Sequence, residues 1–380
     1  MKIFRWEYQK LLKSYFLWLL LGIFLAFDIF LVWECVGSDQ TYYSEMYHVV
    51  MQSGTDLNTE IITAMLDSTD ETEAYYAEYV RTYDTIYNDL DLTQIRNEKI
   101  RMSVDGKPEG SYQNWLDHNY RKLQTRVHEI RETGEANAGF YPGISYKVHS
   151  KLFSNLLRAI LMEILIMTAF AVLYLMDYER LHKTEHLVYS SKTGRNLLLI
   201  KCAAGTLFCF LYALILTAIP ILLFFFFVPI QKLWKTPISS LMMMENRGLF
   251  LYPFITFVRL SFAEYLFFAI LLLILFILLT GILSGAVQYY LRNSYFSMVC
   301  IGVGFMGLLA LPYLSGWGFL HTAVMLNPAV LWYLCGGWFI EYDPSISFAW
   351  SEFWTIGIWS FISLIVLFIG KKHFNKANIS

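Results

Sequence analysis

Charge is scarce in this chain. Asp, Glu, Lys and Arg make up 16% of its 380 residues, against 56% that are hydrophobic, and soluble domains rarely carry so little. The scarcity argues against a water-solvated surface and for a membrane protein. With a formal net charge of −2 there is no basic excess to neutralise phosphates, so nucleic acid is not expected as a partner. Cysteine is sparse as well: of five, Cys202, Cys209 and Cys300 sit inside apolar runs. No CxxC or other ligand spacing occurs, so neither a zinc knuckle nor a disulfide framework is supported. Cys35 and Cys335 remain as a pair that topology can place on one side of a membrane, although nothing in the sequence sets their distance. The chain has no GxxxxGK[ST] and cannot cradle nucleotide phosphates in that way. No internal repeat is visible, which weighs against secondary transporters built from duplicated halves.

Long apolar runs are what the chain has instead. A helix needs about 20 mostly apolar residues to cross roughly 30 Å of hydrocarbon. Six runs meet or approach that length: 15–33, 156–176, 197–220 (with an apolar continuation to 230), 265–285, 296–314 and 353–370. The expected fold class is an all-α polytopic membrane protein with six transmembrane helices. The first run is too long for the core of a signal peptide and no small-x-small cleavage site follows it, so it reads as a retained span.

Short basic flanks set the orientation. Lys2, Arg5, Lys10 and Lys13 precede span one; Arg180, Lys183, Lys192 and Arg195 lie between spans two and three; Arg292 follows span four; Lys371, Lys372 and Lys376 follow span six. Between Asn293 and Gly370 there is no Lys or Arg. These groups fall on one side, which the positive-inside bias assigns to the cytoplasm together with both termini. Lys232, Lys235 and Arg247, between spans three and four, run against it.

Residues 34–150 are then expected outside, as a helical domain with 20 acidic and 10 basic residues. Tyr75, Tyr79, Tyr83, Ile86 and Leu90 recur at helical spacing, as do Leu116, Tyr120, Leu123, Val127 and Ile130. Ser111 is placed to cap the second helix and Gly134 to stop it. The tyrosines read as a helical core rather than a ligand cage. Pro220 is expected to kink or end the third span. Residues 315–345, broken by Gly, Asn-Pro and Gly-Gly, suit short re-entrant or interfacial helices, with Trp317, Trp332, Tyr333 and Trp338 at headgroup depth.

Ionisable residues inside spans carry a functional hypothesis. Asp28 is one, about three-quarters along span one, where a polar partner or a wet path is expected. Arg158 and Glu163 fall near the outer end of span two and Glu264 near that of span four; Arg158 can snorkel.

The largest polar interruption is residues 177–201, DYERLHKTEHLVYSSKTGRNLLLIK. Two readings compete. His182, Glu185 and His186 fit H-x-x-E-H, in which two imidazoles share one helix face with a general-base glutamate. That reading lacks a third ligand, since Glu7, Asp177 and Glu179 are generic. In the second reading, apolar Leu181, Leu187, Val188 and Tyr189 alternate with charges, and Gly194 ends a short projecting helix. Such a helix is a lever that a partner protein can push.

The order of these features resembles the permease subunits of type-2-class ABC exporters. FRWEYQKLLKSYFLWLLL (residues 4–21) is similar to the family's amphipathic elbow helix running into span one. YERLHKTEHLVYSSKTGRNLLLIK (178–201) resembles its coupling segment, and LNPAVLW (326–332) its asparagine-proline stretch between the last two spans. The chain departs from the pattern at Leu181-His182, where the family usually has Gly-Thr, and at Lys192, where it often has proline. The large insertion between spans one and two, residues 34–150, lies outside the resemblance.

The resemblance implies a plasma-membrane exporter subunit, not itself an enzyme. A separate ATPase chain would hold ATP and Mg, with no cofactor on this chain, and a second permease subunit would complete the path through the lipid bilayer. Residues 1–14 would form the elbow and 177–196 the coupling segment, with Glu179, Arg180, Lys183, Glu185, Lys192, Gly194 and Arg195 as ATPase-coupling residues. Asn327 and Pro328 would mark the outer re-entrant motif within the membrane part, 151–380. Aromatic and Met-rich spans suggest an amphipathic cargo: a peptide, a lipid or a hydrophobic drug. The alternatives are a membrane zinc metallopeptidase and a membrane-anchored receptor or scaffold.

Overall fold

The computed structural model describes residues 2–37, 39–44, 87, 90–102, 108–139, 147–189, 197–228, 233–240, 243 and 254–376. Apolar runs too long to be buried in so small a core become helices, because a helix satisfies every backbone group within itself. Six are long and apolar enough to cross a membrane: Tyr15–Gly37, Ser150–Leu181, Leu197–Phe227, Phe262–Leu291, Ser294–Leu314 and Ser351–Phe374. We number the helices α1 (Lys2–Leu12), α2 (Tyr15–Val32), α3 (Leu92–Met102), α4 (Gly110–Glu132), α5 (Arg158–Leu181), α6 (Glu185–Tyr189), α7 (Leu197–Phe227), α8 (Phe262–Leu291), α9 (Ser294–Ala310), α10 (Phe319–Met325), α11 (Pro328–Tyr333) and α12 (Ser351–Lys376). Among the described residues there is no strand, only the isolated bridges Pro237–Ser261 and Thr256–Ile340.

Helix α5 is the centre. Ile160, Leu161, Ile164, Met167, Ala171 and Leu175 are buried on it, packed against α7 and α8. A Cβ on Gly205 of α7 would stand 2.9 Å from Val172 Cα on α5, so the two backbones touch where a side chain would part them. Outward faces are apolar instead of polar: Leu222, Phe226, Val303 and Phe361 are all more than 60% exposed. A surface of that kind is matched to lipid. Helix α1 repeats the inversion, with Ile3 and Trp6 exposed and Glu7 buried.

We call the end that carries α1 the near end and the opposite one the far end. At the far end α4 buries Leu116, Tyr120, Leu123, Val127 and Ile130, the face its periodicity predicts. Gly134, at φ +69°, stops the helix as expected. Ser111 does not cap it: α4 begins at Gly110, whose φ of +61° suits glycine, and Glu109 holds the cap position. Tyr75, Tyr79, Tyr83 and Ile86 lie outside the described residues.

Of the two outcomes expected at Pro220, a kink or a helix end, the second does not occur: the helix continues to Phe227. Transmembrane helices tolerate proline where neighbours surround the freed carbonyl, and Pro220 is buried. Trp338 is buried at 1% exposed, its indole donating to Leu331 O at 2.9 Å. Glu264, expected near the outer end of span four, is the third residue of α8. With Ser261 it forms a capping box: the Ser261 N–H donates to Glu264 Oε2 at 2.8 Å and the Glu264 N–H to Ser261 Oγ at 3.3 Å.

Candidate functional sites at the two ends of the bundle

At the near end α5 stops abruptly. The Lys183 N–H donates to Arg180 O at 3.0 Å and the Thr184 N–H to Glu179 O at 2.8 Å, with Lys183 left-handed at φ +56°. That is a Schellman stop with lysine where glycine is usual. The chain restarts at once as α6, whose Leu187 is 78% exposed. A short helix therefore projects from the bundle where the sequence leads one to expect a foot.

The last turn of α5 is fastened to three other helices. Lys201, four residues into α7, is fully buried. Its ammonium donates to Leu175 O at 2.8 Å, pairs with Glu179 and has Glu7 of α1 at 3.9 Å. Lys10 of α1 completes the group, 2.9 Å from Glu7 and 3.3 Å from Glu179, with its ammonium 4.2 Å from the centre of the Tyr178 ring. Two acids and two bases balance, so no net charge is buried. One turn away, Asp177 accepts both Arg180 Nε and Nη2 at 2.7 Å and the Ser294 N–H at 3.1 Å. Residues 177–181 thus bind α1, α7 and the first turn of α9. Beside them is a cleft of about 70 Å³ that includes Asp177, Arg180, Glu185 and Arg292.

The coupling residues expected from the sequence therefore separate. Glu179 is buried in the ion cluster and Arg180 is held by Asp177, whereas Lys183 is exposed and Glu185 half-buried at the projecting turn. Lys192, Gly194 and Arg195 lie outside the described residues. Glu7, Lys10, Asp177 and Lys201 were not singled out as site residues. The available signal was Lys201 itself, a lone lysine inside an apolar run.

The H-x-x-E-H stretch is broken by the same turn. His182 caps α5 and His186 belongs to α6, so the two do not share a face of one helix. The His182 ring stacks on Tyr178 at 4.1 Å, with Nδ1 2.8 Å from Tyr178 O. Among the described residues no three His, Cys, Asp or Glu side chains group closely enough to hold a metal ion.

In the far half, Asp28 of α2 meets Glu163 of α5. Asp28 is fully buried and Glu163 is 6% exposed. The two carboxyl groups hydrogen-bond each other, and among the described residues no other side chain bonds either oxygen of Asp28 or Oε2 of Glu163. Glu163 also lines a cavity of about 820 Å³ between α2 and α5, walled by Phe27, Leu31, Met162 and Trp332.

The Asn-Pro pair is structural in detail. Asn327 Oδ1 caps α11 by accepting the Ala329 and Val330 N–H groups at 2.9 and 3.0 Å. Its amide donates to Val324 O at 2.7 Å and Leu308 O at 3.1 Å, and Pro328 fills the first helical position, where no N–H is needed. Asn327→Ala removes all four bonds at a 1% exposed site. Loss of the cap alone typically costs about 1 kcal/mol, and thermal unfolding in detergent is expected to show at least that. Asn327→Asp keeps the cap and is expected to fall between.

The five cysteines are free thiols. Burial pushes the Cys335 thiol well above its ordinary range, and a thiol that does not ionise does not react. A polar maleimide is accordingly expected to label Cys335 only after denaturation, as read by mass spectrometry.

Comparison with protein families, with curated proteins and with solved structures finds no match to this chain.

Proposed function

We propose that this chain is the membrane-spanning permease subunit of an ATP-driven exporter, of the type-2 ABC class it resembles, in the cytoplasmic membrane. The near end faces the cytoplasm and residues 34–150 lie outside. One observation carries the reading: the projecting turn at 182–189 is continuous with a helix end bonded to α1, α7 and α9. A force applied to α6 is passed to all three, because a packed ion cluster moves as a unit rather than deforming.

The mechanism is indirect. A separate ATPase, which holds ATP and Mg, closes on nucleotide and displaces α6. Lys183 and Glu185 meet that partner, and the cleft beside Arg292 receives it. Glu179 acts within the chain, joining spans two and three so that they tilt together. A second permease subunit, identical or related, completes the path for an amphipathic cargo.

The test is purification of the chain from its native membrane, with co-purifying ATP hydrolysis measured and the hydrolysing subunit tagged by a photoreactive ATP analogue. Lys183→Gly suits the left-handed turn and removes only the charge. Combined with Glu185→Ala, it is expected to lose the ATPase while unfolding at the wild-type temperature. An intact chain that brings no ATP-hydrolysing subunit, or a variant that retains it fully, overturns the proposal.

A further inference from the structure

The cleft between α2 and α5 is graded along its length. At its far-end mouth stand Glu34 and Asp39 on the α2 side and Lys151 and Arg158 on the α5 side. Deeper in, the first wall continues as Leu31 and Phe27 and the second as Ala159 and Met162, with Trp332 of α11 alongside. Both walls therefore pass from charged to apolar within about one helical turn, a rise of roughly 5.4 Å. That is the order of a lipid molecule, head group first and hydrocarbon after. At about 820 Å³ the cleft has the size of a ligand site. Phe27 is 48% exposed, which leaves the deep part open to the lipid-matched surface of the bundle.

The charges around the cleft are not equally engaged. Lys151 is 2.9 Å from Asp39 and 2.6 Å from the Tyr43 hydroxyl, and Glu163, at the deep end, is bonded to Asp28. Arg158 makes one long bond, to Tyr333 O at 3.5 Å, with its guanidinium 6.0 Å from the centre of the Tyr333 ring. Glu34 is exposed. Among the described residues neither Arg158 nor Glu34 has an ion-pair partner. One base and one acid are thus left over at the mouth of a single cleft. The Trp332 indole donates to Arg158 O at 3.0 Å, which pins the apolar wall to the turn that carries the guanidinium.

We infer that the cleft binds a phospholipid of the far-end leaflet, one whose head group carries both a phosphate and a primary ammonium, as ethanolamine phospholipids do. The phosphate accepts from the Arg158 guanidinium, whose planar fork matches phosphate oxygens. The ammonium donates to Glu34, and one acyl chain lies along Leu31, Phe27 and Met162. A choline head group has no N–H to give Glu34, and a glycerol head group brings it no positive charge, so the site discriminates among lipids that share the same phosphate. Free phosphate has no use for the apolar depth of the cleft. The inference uses the cleft alone and does not rest on the exporter reading.

The test is native mass spectrometry of the full chain, released from mild detergent after titration with lipid. The probes are phosphatidylethanolamine, phosphatidylcholine and phosphatidylglycerol with identical acyl chains, and glycerophosphoethanolamine, which has the head group and no chain. Wild type is expected to retain one ethanolamine lipid at least tenfold more tightly than either of the other two, and the chainless compound is expected not to displace it. Glu34→Gln is expected to bring the ethanolamine lipid down to the level of the choline lipid, and Arg158→Gln to weaken all three. Neither side chain holds an ion pair within the described residues, so both variants are expected to unfold at the wild-type temperature. Ala159→Trp keeps both charges and fills the place of the acyl chain; it is expected to lower lipid occupancy at least tenfold, and it answers the objection that a charge variant has misfolded. Equal retention of the three lipids, displacement by the chainless compound, or wild-type preference in both folded charge variants each overturns the inference.

Discussion

Lys201→Met is expected to destabilise the protein by about 3–5 kcal/mol, the cost of stranding one member of a buried ion pair. Lys201 is fully buried, and its removal leaves Glu7 and Glu179 with only Lys10 between them. The net charge of the cluster passes from zero to −1 in a region from which water is excluded. Lys10 remains 3.3 Å from Glu179, which places the effect toward the lower end of that range. Thermal unfolding of the detergent-purified protein reads the loss. Tryptic cleavage at Arg5 and Lys10 should accelerate, because α1 is held by this cluster. Lys201→Met with Glu179→Gln restores neutrality and is expected to recover most of the stability. A single variant as stable as wild type would show that apolar packing alone holds α1, and would remove the physical basis for transmission from α6.

The second large effect is expected at the far end. Glu341 is fully buried and gathers groups from two helices. Lys99 of α3 donates to both of its oxygens at 2.9 and 2.8 Å, and the Tyr120 hydroxyl of α4 donates at 2.6 Å. Glu341→Ala takes the carboxylate from a cation that is itself largely buried, again a loss of about 3–5 kcal/mol. This loss should be local. Hydrogen exchange is expected to rise in 90–102 and 110–132 more than in the spans, because Lys99 and Tyr120, which donate to Glu341, belong to α3 and α4. Glu341→Gln keeps an acceptor for each donor and should show a smaller rise. If exchange in α3 and α4 does not change, those helices are held instead by Tyr87 on Ser239 O and by the Arg126–Glu135–Ser239 group.

Some of this was legible in the residues. The six apolar helices followed from length and hydropathy, and the buried face of α4 from its alternation of threes and fours. Gly134 stopped its helix for a reason local to one residue, its positive φ. Ser261-Phe262-Ala263-Glu264 was equally legible as a capping box, and taking Glu264 alone as an acid in a span missed a four-residue pattern. Asp28 was legible as an anomaly, though its neighbour was not. Asp28 and Glu163 are on different spans, and nothing in either span names the other.

The division follows from range. Transfer of a helix into lipid is a sum over its own residues, so the sequence by itself determined that this chain enters a membrane, with how many helices, and where each polar interruption falls. The meeting of charges is not a sum over neighbours in the chain. Lys10 and Glu179 are 169 residues apart, and Lys99 and Glu341 are 242 apart. Only the packing of remote helices decided that Glu179 turns inward to Lys201, that Lys183 is left at the surface, and that Asp28 and Glu163 meet. A side chain's charge is written in the sequence; its partner is settled by the side chains that exclude water around it.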